Sequence, residues 1–543
     1  GGVSALDDQA AAGVIMWVPG SLVFLAPLAW IGLGLLQGRK TIGGPRKSRN
    51  SQTTGTSHSK LHTPSFDLLR LPLLGRILRW RWTRLFVQLG VLLVMIAVVV
   101  DGLFGTQVGA MNLAGVVPWI HWRGLVVIGL LAAGNVFCYG CPFLLPRTVA
   151  RWMFREIADR PWPKVLRTKW LAVALMAAFL WAYEAFSLWN SPWLTAWIVI
   201  AYFAGALVVD SIFRDAAFCK YVCPIGQFNF VQSLVSPWEI KVREPTVCTS
   251  CHTHDCIRGN ETVRGCEMHL FQPRKVGNLD CTFCLDCVQA CPHDNVGMIA
   301  VIPTTSLWRD GPRSGIGRIS RRFDYTVLAV VLVCGAFANA AGMVGPIVDW
   351  QKNVSQHLGL SSTFFATTLF YAVCLFAMPA ICFFGAATLV RQIASSSRSV
   401  REIFCRFAWS LVPLGFAMWM AHYSFHFFTS FDAIVPVTQQ FSTRYAAISL
   451  GPPNWVCSCC RPAPDWLLKA ELLMLDVGML FSLYAAWQIS FALVSAQGDS
   501  PRVSHWRTLK VATPWAVLIV GLFVVGVWIL LQPMQMRGML PGG

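Results

Sequence analysis

The chain has 543 residues, of which 55% are hydrophobic and only 13% are charged. Globular domains ordinarily carry about twice that charged fraction. The composition therefore excludes an ordinary soluble protein and predicts an all-α polytopic membrane protein, because backbone polar groups in lipid must be satisfied within each span. The net charge of +18 lies in short segments between apolar runs, which argues against nucleic acid as a partner.

Apolar runs near the ~20 residues needed to cross the hydrocarbon recur along the whole chain. They predict about ten transmembrane helices, near residues 13–36, 83–104, 122–144, 168–189, 192–213, 325–347, 363–392, 407–430, 467–494 and 511–532. The segments that connect them alternate between basic sequences and sequences poor in Lys and Arg. By the positive-inside rule, the basic segments predict a multi-pass protein of a bacterial cytoplasmic (inner) membrane with both termini outside.

The same pattern divides the chain into five segments. They are a transmembrane helix (1–38), a basic cytoplasmic linker (39–82), a four-helix membrane region (83–235), a polar cytoplasmic insertion (236–322) and a five-helix membrane region (323–543). The insertion holds eight cysteines and is too short for a large core. We therefore expect bound metal to stabilise it.

Cysteine spacing in the insertion predicts iron–sulfur chemistry. The run CTFCLDCVQACP, residues 281–292, has the spacing of bacterial ferredoxins, in which the fourth cysteine binds the other of two clusters. A less regular partner motif precedes it, with cysteines at 248, 251, 256 and 266. The two-cluster rule assigns Cys248, Cys251, Cys256 and Cys291 to a first [4Fe–4S] cluster, and Cys266, Cys281, Cys284 and Cys287 to a second. Zinc and disulfides are the alternatives, and they fit this spacing less well.

Two further Cys-Pro motifs lie near predicted helix ends, FCYGCP (137–142) and FCKYVCP (218–224). Their thiols are Cys138, Cys141, Cys219 and Cys223. If the two helix ends approach each other beneath the insertion, these thiols would form a further redox or metal site, or a reactive thiol pair. The alternative is that all four are reduced cysteines packed as small apolar groups.

The outward half of the chain carries a second set of candidate ligands. His422 and His426 lie one helical turn apart on one face of a predicted span. The loop that follows contains Cys457, Cys459 and Cys460. Imidazole and thiolate together suit copper, and a histidine suits a b-type haem. The alternatives are hydrogen-bonded histidines and a disulfide that leaves one free thiol.

Acidic residues within predicted spans are the third kind of candidate. Glu184, Glu471 and Asp476 fall inside apolar runs, where ionisable groups are energetically expensive and commonly functional. They predict a role in proton transfer or quinone chemistry. A structural ion pair between Asp476 and Lys469 is the alternative.

The motif FCKYVCPIGQF (218–228), followed by a two-cluster insertion, resembles the membrane polyferredoxins typified by NosR, NapH and CcoG (FixG). The resemblance covers about residues 80–300 and matches that group's Cys-x3-Cys-Pro motif at Cys219, Cys223 and Pro224. It implies electron transfer from quinol or a cytoplasmic reductant to periplasmic reductases, or copper handling during oxidase maturation. Cys138 and Cys141 are one residue closer than the motif requires.

A shorter resemblance lies near the beginning of the chain. Residues 8–25, DQAAAGVIMWVPGSLVFL, resemble the last helix of the CtaG family. That family is implicated in copper delivery to haem–copper oxidases. The resemblance covers only about thirty residues.

These observations lead to one functional hypothesis and three rivals. We predict an oxidoreductase-type electron-transfer component that passes electrons between cytoplasm-facing [4Fe–4S] clusters and quinone or a partner redox protein, as a subunit of a larger respiratory membrane complex. The nearest rival is a copper reductase or assembly factor for a haem–copper oxidase. A transporter with redox-sensing clusters and a scaffold with structural clusters are the others.

Overall fold

The structure, a computed structural model, describes residues 66–146, 148–149, 160–455, 463–496 and 501–534. The chain divides into two compact units, Gly1–Phe66 and Asp67–Gly543, and the fold below is that of the second unit. The predicted span 13–36, the CtaG-like segment and most of the basic linker lie outside the described residues. The three cysteines of the outer loop, Cys457, Cys459 and Cys460, lie outside them as well.

Within the described ranges, every predicted span is represented by a helix. Numbered in chain order, these are α1 (Thr83–Phe104), α2 (Leu113–Ala133), α3 (Trp170–Ala185), α4 (Pro192–Ile212), α5 (Phe323–Ala341), α6 (Phe364–Ile393), α7 (Val412–Ser430), α8 (Leu467–Ser495) and α9 (Pro501–Leu531). Eight helical stretches, all except α3, are long and apolar enough to cross a membrane. The prediction of an all-α polytopic membrane protein is therefore confirmed for the described residues.

Several of the predicted span bounds differ from the ends of the helices. The span near 122–144 begins earlier, at Leu113, because Asn112 accepts a hydrogen bond from the Ala114 amide and caps the helix there. The same helix ends at Ala133, because Gly134 adopts a left-handed backbone with φ of 77°. The span near 168–189 is shorter than expected: α3 has 16 residues, and Ser187, with φ of 46°, follows it.

Helix α7 is the centre of the membrane region. It contacts α2, α5 and α8, and it belongs to a continuous helical stretch that extends from Val400 to Ala446. Its large side chains are buried; the Trp419 indole, for example, donates a hydrogen bond to the Leu332 carbonyl at 2.9 Å. Outer helices expose large apolar side chains such as Leu93 and Ile381, as expected of surfaces that contact lipid.

The shorter helices connect and flank these spans. Those of four or more residues are Pro72–Arg79, Val136–Tyr139, Phe218–Val222, Pro224–Gln232, Pro245–Thr249, Asp255–Arg258, Asp286–Ala290, Gly345–His357, Val400–Phe407, Ala408–Leu411, Ile434–Phe441 and Ser442–Ala446. The turn Phe218–Val222 is a π-helix, and so is Val117–Trp122 within α2. Such π turns frequently occur at functional sites.

The polar insertion is closed by a two-stranded antiparallel sheet. Strand β1 (Trp238–Val242) pairs with β2 (Val296–Ala300), and Ile240 lies opposite Met298. The pairing brings together the two ends of the cysteine-rich segment 243–295. The predicted bounds of the insertion, 236–322, stay a prediction.

Candidate functional site

All four cysteines assigned to the first cluster line a single cavity. Cys248, Cys251, Cys256 and Cys291 face it from three separate parts of the insertion. Asn295 stabilises two of the thiols, because its side-chain amide donates to Cys248 Sγ at 3.3 Å and its backbone amide donates to Cys291 Sγ at 3.4 Å. The fold therefore brings together four residues that are up to 43 positions apart in the sequence.

The closeness of these thiols to one another also affects pKa values within the set. Burial, together with the nearby Cys291, Cys248 and Cys251, raises the pKa of Cys256 to about 11. The pKa of Cys251 is lowered, chiefly by a hydrogen bond from the His254 backbone. Thiolates so close together repel one another, and bound metal would remove that repulsion.

The second set of four thiols lies deeper than the first. Cys266, Cys281 and Cys287 are buried, whereas all four thiols of the first set are partly exposed. Burial raises the pKa of Cys287 well above the usual thiol value, and the neighbouring Cys284, Cys266 and Cys281 add to the shift. These four thiols are therefore neighbours, and their assignment to one cluster stays a prediction.

The loop that carries the second set has an unusual backbone. Asp280, Phe283 and Leu285 all adopt left-handed conformations, with φ of 60°, 56° and 64°. Residues other than glycine rarely adopt this conformation, and when they do it is often at a functional site. The conformation turns the chain tightly between Cys281 and Cys284 and leads into the helix Asp286–Ala290, which presents Cys287.

The described part of the chain contains no cluster of side chains suited to a single metal ion. There, no group of three or more His, Cys, Asp or Glu side chains is close enough to hold one metal ion. The two sets of thiols line their regions without converging on one point.

Three of the four thiols from the Cys-Pro motifs are neighbours. Burial raises the pKa of Cys223, and the nearby Cys141 and Cys138 raise it further. Burial raises the pKa of Cys138 to about 11, with Cys281 of the second set among the neighbours that add to the shift. Cys219 lies on the π turn Phe218–Val222. These motifs therefore lie beside the second set of thiols.

Asparagine side chains connect the membrane helices to these thiols. Asn135, completely buried, donates a hydrogen bond to the Cys281 carbonyl at 2.9 Å. Asn229 donates to Cys138 Sγ at 3.5 Å. The first contact joins the insertion to a residue just outside α2, and the second joins the helices Val136–Tyr139 and Pro224–Gln232 of the two Cys-Pro motifs.

A buried ion pair also connects the insertion to the membrane region. Lys169, immediately before α3, donates from Nζ to Asp280 Oδ1 at 2.9 Å, and both side chains are inaccessible to solvent. The Tyr325 hydroxyl of α5 donates to the other carboxylate oxygen at 2.5 Å. Asp280 directly precedes Cys281, so the pair fixes the start of the second cysteine loop.

The two histidine rings of α7 pack edge to face. The ring centroids of His422 and His426 are 4.9 Å apart at an interplanar angle of 87°, and both residues are buried. His426 Nε2 lies 3.2 Å from the Met343 Sδ atom. The structure therefore adds a thioether to the predicted imidazole pair.

The three acidic residues predicted for proton or quinone chemistry are not brought together as one site. Glu471 and Asp476 are buried on α8. Glu184 lies on α3, near Gly342 at the end of α5. Their predicted role is not tested by this arrangement and stays a prediction.

Sequence reasoning missed Lys169, Asp280, Asn135, Asn229 and Arg123. Lys169 and Arg123 lie at the ends of apolar runs, where basic residues ordinarily mark the membrane interface. Asp280 is acidic and adjacent to a cysteine, which was the one available signal. The two asparagines gave none, because their importance depends on contacts between distant segments.

Comparison with known proteins gives one partial similarity. No protein-family model matches the chain, and no solved structure matches it significantly. The chain is similar to an Escherichia coli (strain K12) protein described as "Putative electron transport protein YccM", with 31% identity over 155 residues. The matched part is 28% of this chain and 38% of that relative, so the chain spans well under half of the relative's length. These comparisons do not test the resemblance to the NosR, NapH and CcoG group.

Proposed function

We propose that this chain is a membrane-bound electron-transfer protein that holds two [4Fe–4S] clusters in its insertion. The observation that carries the proposal is the grouping of eight cysteines into two sets of four. Cys248, Cys251, Cys256 and Cys291 line one cavity, and Cys266, Cys281, Cys284 and Cys287 neighbour one another more deeply. This grouping matches the crossed ligand pattern expected of a two-cluster ferredoxin motif.

The donor set fits a cubane better than zinc. One zinc ion bound at about 2.3 Å draws its four sulfur atoms close together. In a cubane each thiolate binds a different iron, so the four sulfur atoms lie farther apart. The absence of a single-ion group among the described residues is compatible with the wider arrangement. Bound there, each cluster would accept and release one electron.

The burial of the two sets suggests an order along the route. The first set is partly exposed, so a soluble redox partner can approach it. Three thiols of the second set are buried, and the loop that carries this set contacts the membrane region through Asn135 and Lys169. We infer that electrons enter or leave at the first set and exchange with the membrane side at the second. Oxidation of one quinol releases two electrons and two protons, and reduction of a quinone consumes them.

The wider setting of the protein follows from the same proposal. The similarity to a relative described as an electron transport protein supports this class of function. The basic segments favour a cytoplasmic insertion and outward termini. We further propose that the chain acts as a subunit of a respiratory complex, with quinone or a redox protein as its partner. Cys138, Cys141, Cys219 and Cys223 would form an additional redox or metal site on the route.

Electron paramagnetic resonance of the detergent-purified full chain tests the proposal. Samples oxidised and reduced with dithionite are compared, alongside iron and acid-labile sulfide content. We expect about eight irons and signals from two interacting reduced cubanes. Protein that binds zinc and takes up no iron on reconstitution would contradict the proposal and leave a structural insertion.

A copper reductase or assembly factor is the second candidate. The observation that favours it is the cluster of His422, His426 and Met343, because imidazole and thioether are ligands for copper. The same histidines could bind a b-type haem. Copper and haem content of the wild type, compared with the His422→Ala and Met343→Leu variants, tests this candidate. Metal content unchanged by both substitutions would exclude it at these residues.

A further inference from the structure

The described membrane helices line an apolar cavity that contains none of the residues predicted to be functional. It lies among α2, α3, α4, α7 and the helix Pro224–Gln232, and its volume is about 150 Å³. Almost all of its lining is aliphatic or aromatic, including Trp119, Met176 and Trp419. A dry apolar cavity of about that size accommodates a single benzene-sized ring.

One of the few polar groups of the lining is a buried arginine. Arg123 of α2 is 8% exposed. Its guanidinium carbon lies 4.0 Å from the ring centroid of Tyr183, 4.7 Å from that of Trp119 and 5.0 Å from that of Tyr423. Aromatic faces stabilise the charge, but the Nη1 atom has no hydrogen-bond partner among the described residues.

Asn229 contributes a second unused polar atom to the same lining. It is 1% exposed, and its amide nitrogen donates to Cys138 Sγ. Its Oδ1 atom is buried and accepts no hydrogen bond from the described residues. A buried polar atom without a partner costs about 1–3 kcal/mol, so one donor and one acceptor at the same cavity point to a ligand that completes both.

The two unused atoms define the chemistry of that ligand. The Arg123 guanidinium can donate to a carbonyl oxygen, and the Asn229 oxygen can accept from a hydroxyl. The rest of the lining requires an apolar planar ring. A quinone and its quinol supply a ring, carbonyl oxygens in one state and hydroxyl groups in the other. Being lipid-soluble, they can reach a cavity between membrane helices.

The location of the cavity agrees with this ligand. Asn229 contacts Cys138, and Cys138 neighbours Cys281 of the second set of thiols. Pro224, which follows Cys223, also lines the cavity. A few contacting side chains therefore separate the cavity from the second set of thiols.

We propose that this cavity binds the ring of a lipid-soluble benzoquinone, with Arg123 as donor and Asn229 as acceptor. This inference rests on the proposed function, for which it supplies the membrane-side redox partner. It differs from the sequence prediction, which associated quinone chemistry with Glu184, Glu471 and Asp476; none of these lines the cavity.

Calorimetric titration of the detergent-purified full chain with a benzoquinone carrying a ten-carbon tail tests the proposal. The Arg123→Met variant should bind about 10- to 100-fold more weakly, because a hydrogen bond from a charged donor is lost. Asn229→Leu should also weaken binding. Arg401→Met is the matched control, because Arg401 also lies over an aromatic ring, at 4.7 Å from Phe323, but outside the cavity. It should bind within about two-fold of the wild type, since surface substitutions remote from the site have small effects.

A cavity-filling variant keeps the test informative if the polar variants fold poorly. Val126→Phe adds apolar volume to the lining without removing either polar group, and it should abolish binding in correctly folded protein. Wild-type affinity in Val126→Phe and Arg123→Met would overturn the proposal. A tightly held phospholipid that quinone cannot displace, detected by native mass spectrometry, would overturn it as well.

The outcomes also separate this proposal from the electron-transfer proposal. Reducible clusters without quinone binding would leave the electron-transfer function standing and refute the cavity assignment. Quinone binding sensitive to Arg123→Met in protein that takes up no iron would support the cavity assignment and refute the clusters.

Discussion

Lys169 and Asp280 form an ion pair from which solvent is excluded, with 2.9 Å between Nζ and Oδ1. The lysine precedes a membrane helix, and the aspartate precedes the first cysteine of the CTFCLDCVQACP run. The Gln227 side-chain oxygen also accepts a hydrogen bond from Nζ, at 2.8 Å. The pair therefore fixes the insertion to the membrane region immediately before Cys281, which belongs to the second, more deeply buried set of thiols (the inner set).

Removing one member of this pair should be strongly destabilising. Lys169→Met leaves the Asp280 carboxylate buried without its cation, which typically costs about 3–5 kcal/mol. Lys352→Met is the control, because Lys352 and Asp349 form an exposed pair whose loss should cost less than about 1 kcal/mol. Denaturant unfolding of both variants in detergent micelles measures the difference. Equal free energies of unfolding would contradict the structural role of the buried pair.

Single cysteine substitutions should remove the two clusters separately. Cys251→Ala should lower the iron content from about eight to about four and leave the cluster of the second set (the inner cluster). Cys284→Ala should leave the cluster of the first set (the outer cluster). Cys405→Ala should retain all the iron, because Cys405 is a buried thiol beside α7 and outside both sets. Iron analysis with electron paramagnetic resonance distinguishes these results. Loss of all iron in both Cys251→Ala and Cys284→Ala would show instead that the clusters cannot be held independently.

Gly134 should tolerate no side chain, for a reason that involves the inner cysteine loop. A Cβ atom there would lie 2.4 Å from the ring of Phe283, the residue that lies between Cys281 and Cys284 in the sequence. Overpacking of this kind costs about 1–3 kcal/mol, and the left-handed backbone adds about 1–2 kcal/mol. We expect Gly134→Ala to lower the free energy of unfolding and to alter the resonance of the inner cluster.

Gly317→Ala separates the two causes in Gly134→Ala. Gly317 also has a positive φ, of 90°, but its Cβ would enter open space. It should show the backbone cost alone, with unchanged cluster resonances. If Gly317→Ala perturbed the inner cluster as much as Gly134→Ala does, contact with Phe283 would not be the reason.

Removal of the clusters should make the insertion susceptible to proteolysis while the membrane helices stay resistant. Segment 243–295 contains only short helices between two strands of five residues each, and such small units commonly depend on bound metal. After oxidation and chelation, limited proteolysis should cut first within this segment, while α5 and α7 stay intact. Mass spectrometry of the fragments identifies the cleavage sites. Cleavage of the segment at the same rate before and after iron removal would contradict this expectation.

The local sequence was sufficient to predict that this is a membrane protein and to locate most of its helices. Apolar runs such as 83–104 and 467–494 coincide with α1 and α8 within one residue at either end, because a span in lipid has to satisfy its own backbone and expose apolar side chains. The spacing of the eight cysteines also predicts a division into two ligand sets, and this division stays a prediction. Spacing can predict such a division because three ligands of each set lie close together in the sequence, and only the fourth comes from the other motif.

Only the tertiary structure revealed which groups meet between distant segments. Lys169 and Asp280 are 111 residues apart, and Arg123 shares its cavity with Asn229 through the packing of separate helices. Burial is what gives these residues their importance, because an unpaired charge or polar atom is tolerable in water and costly inside a protein. Burial depends on the whole fold, so the sequence determined the spans and the thiol spacing, and the tertiary structure decided the buried pair and the cavity.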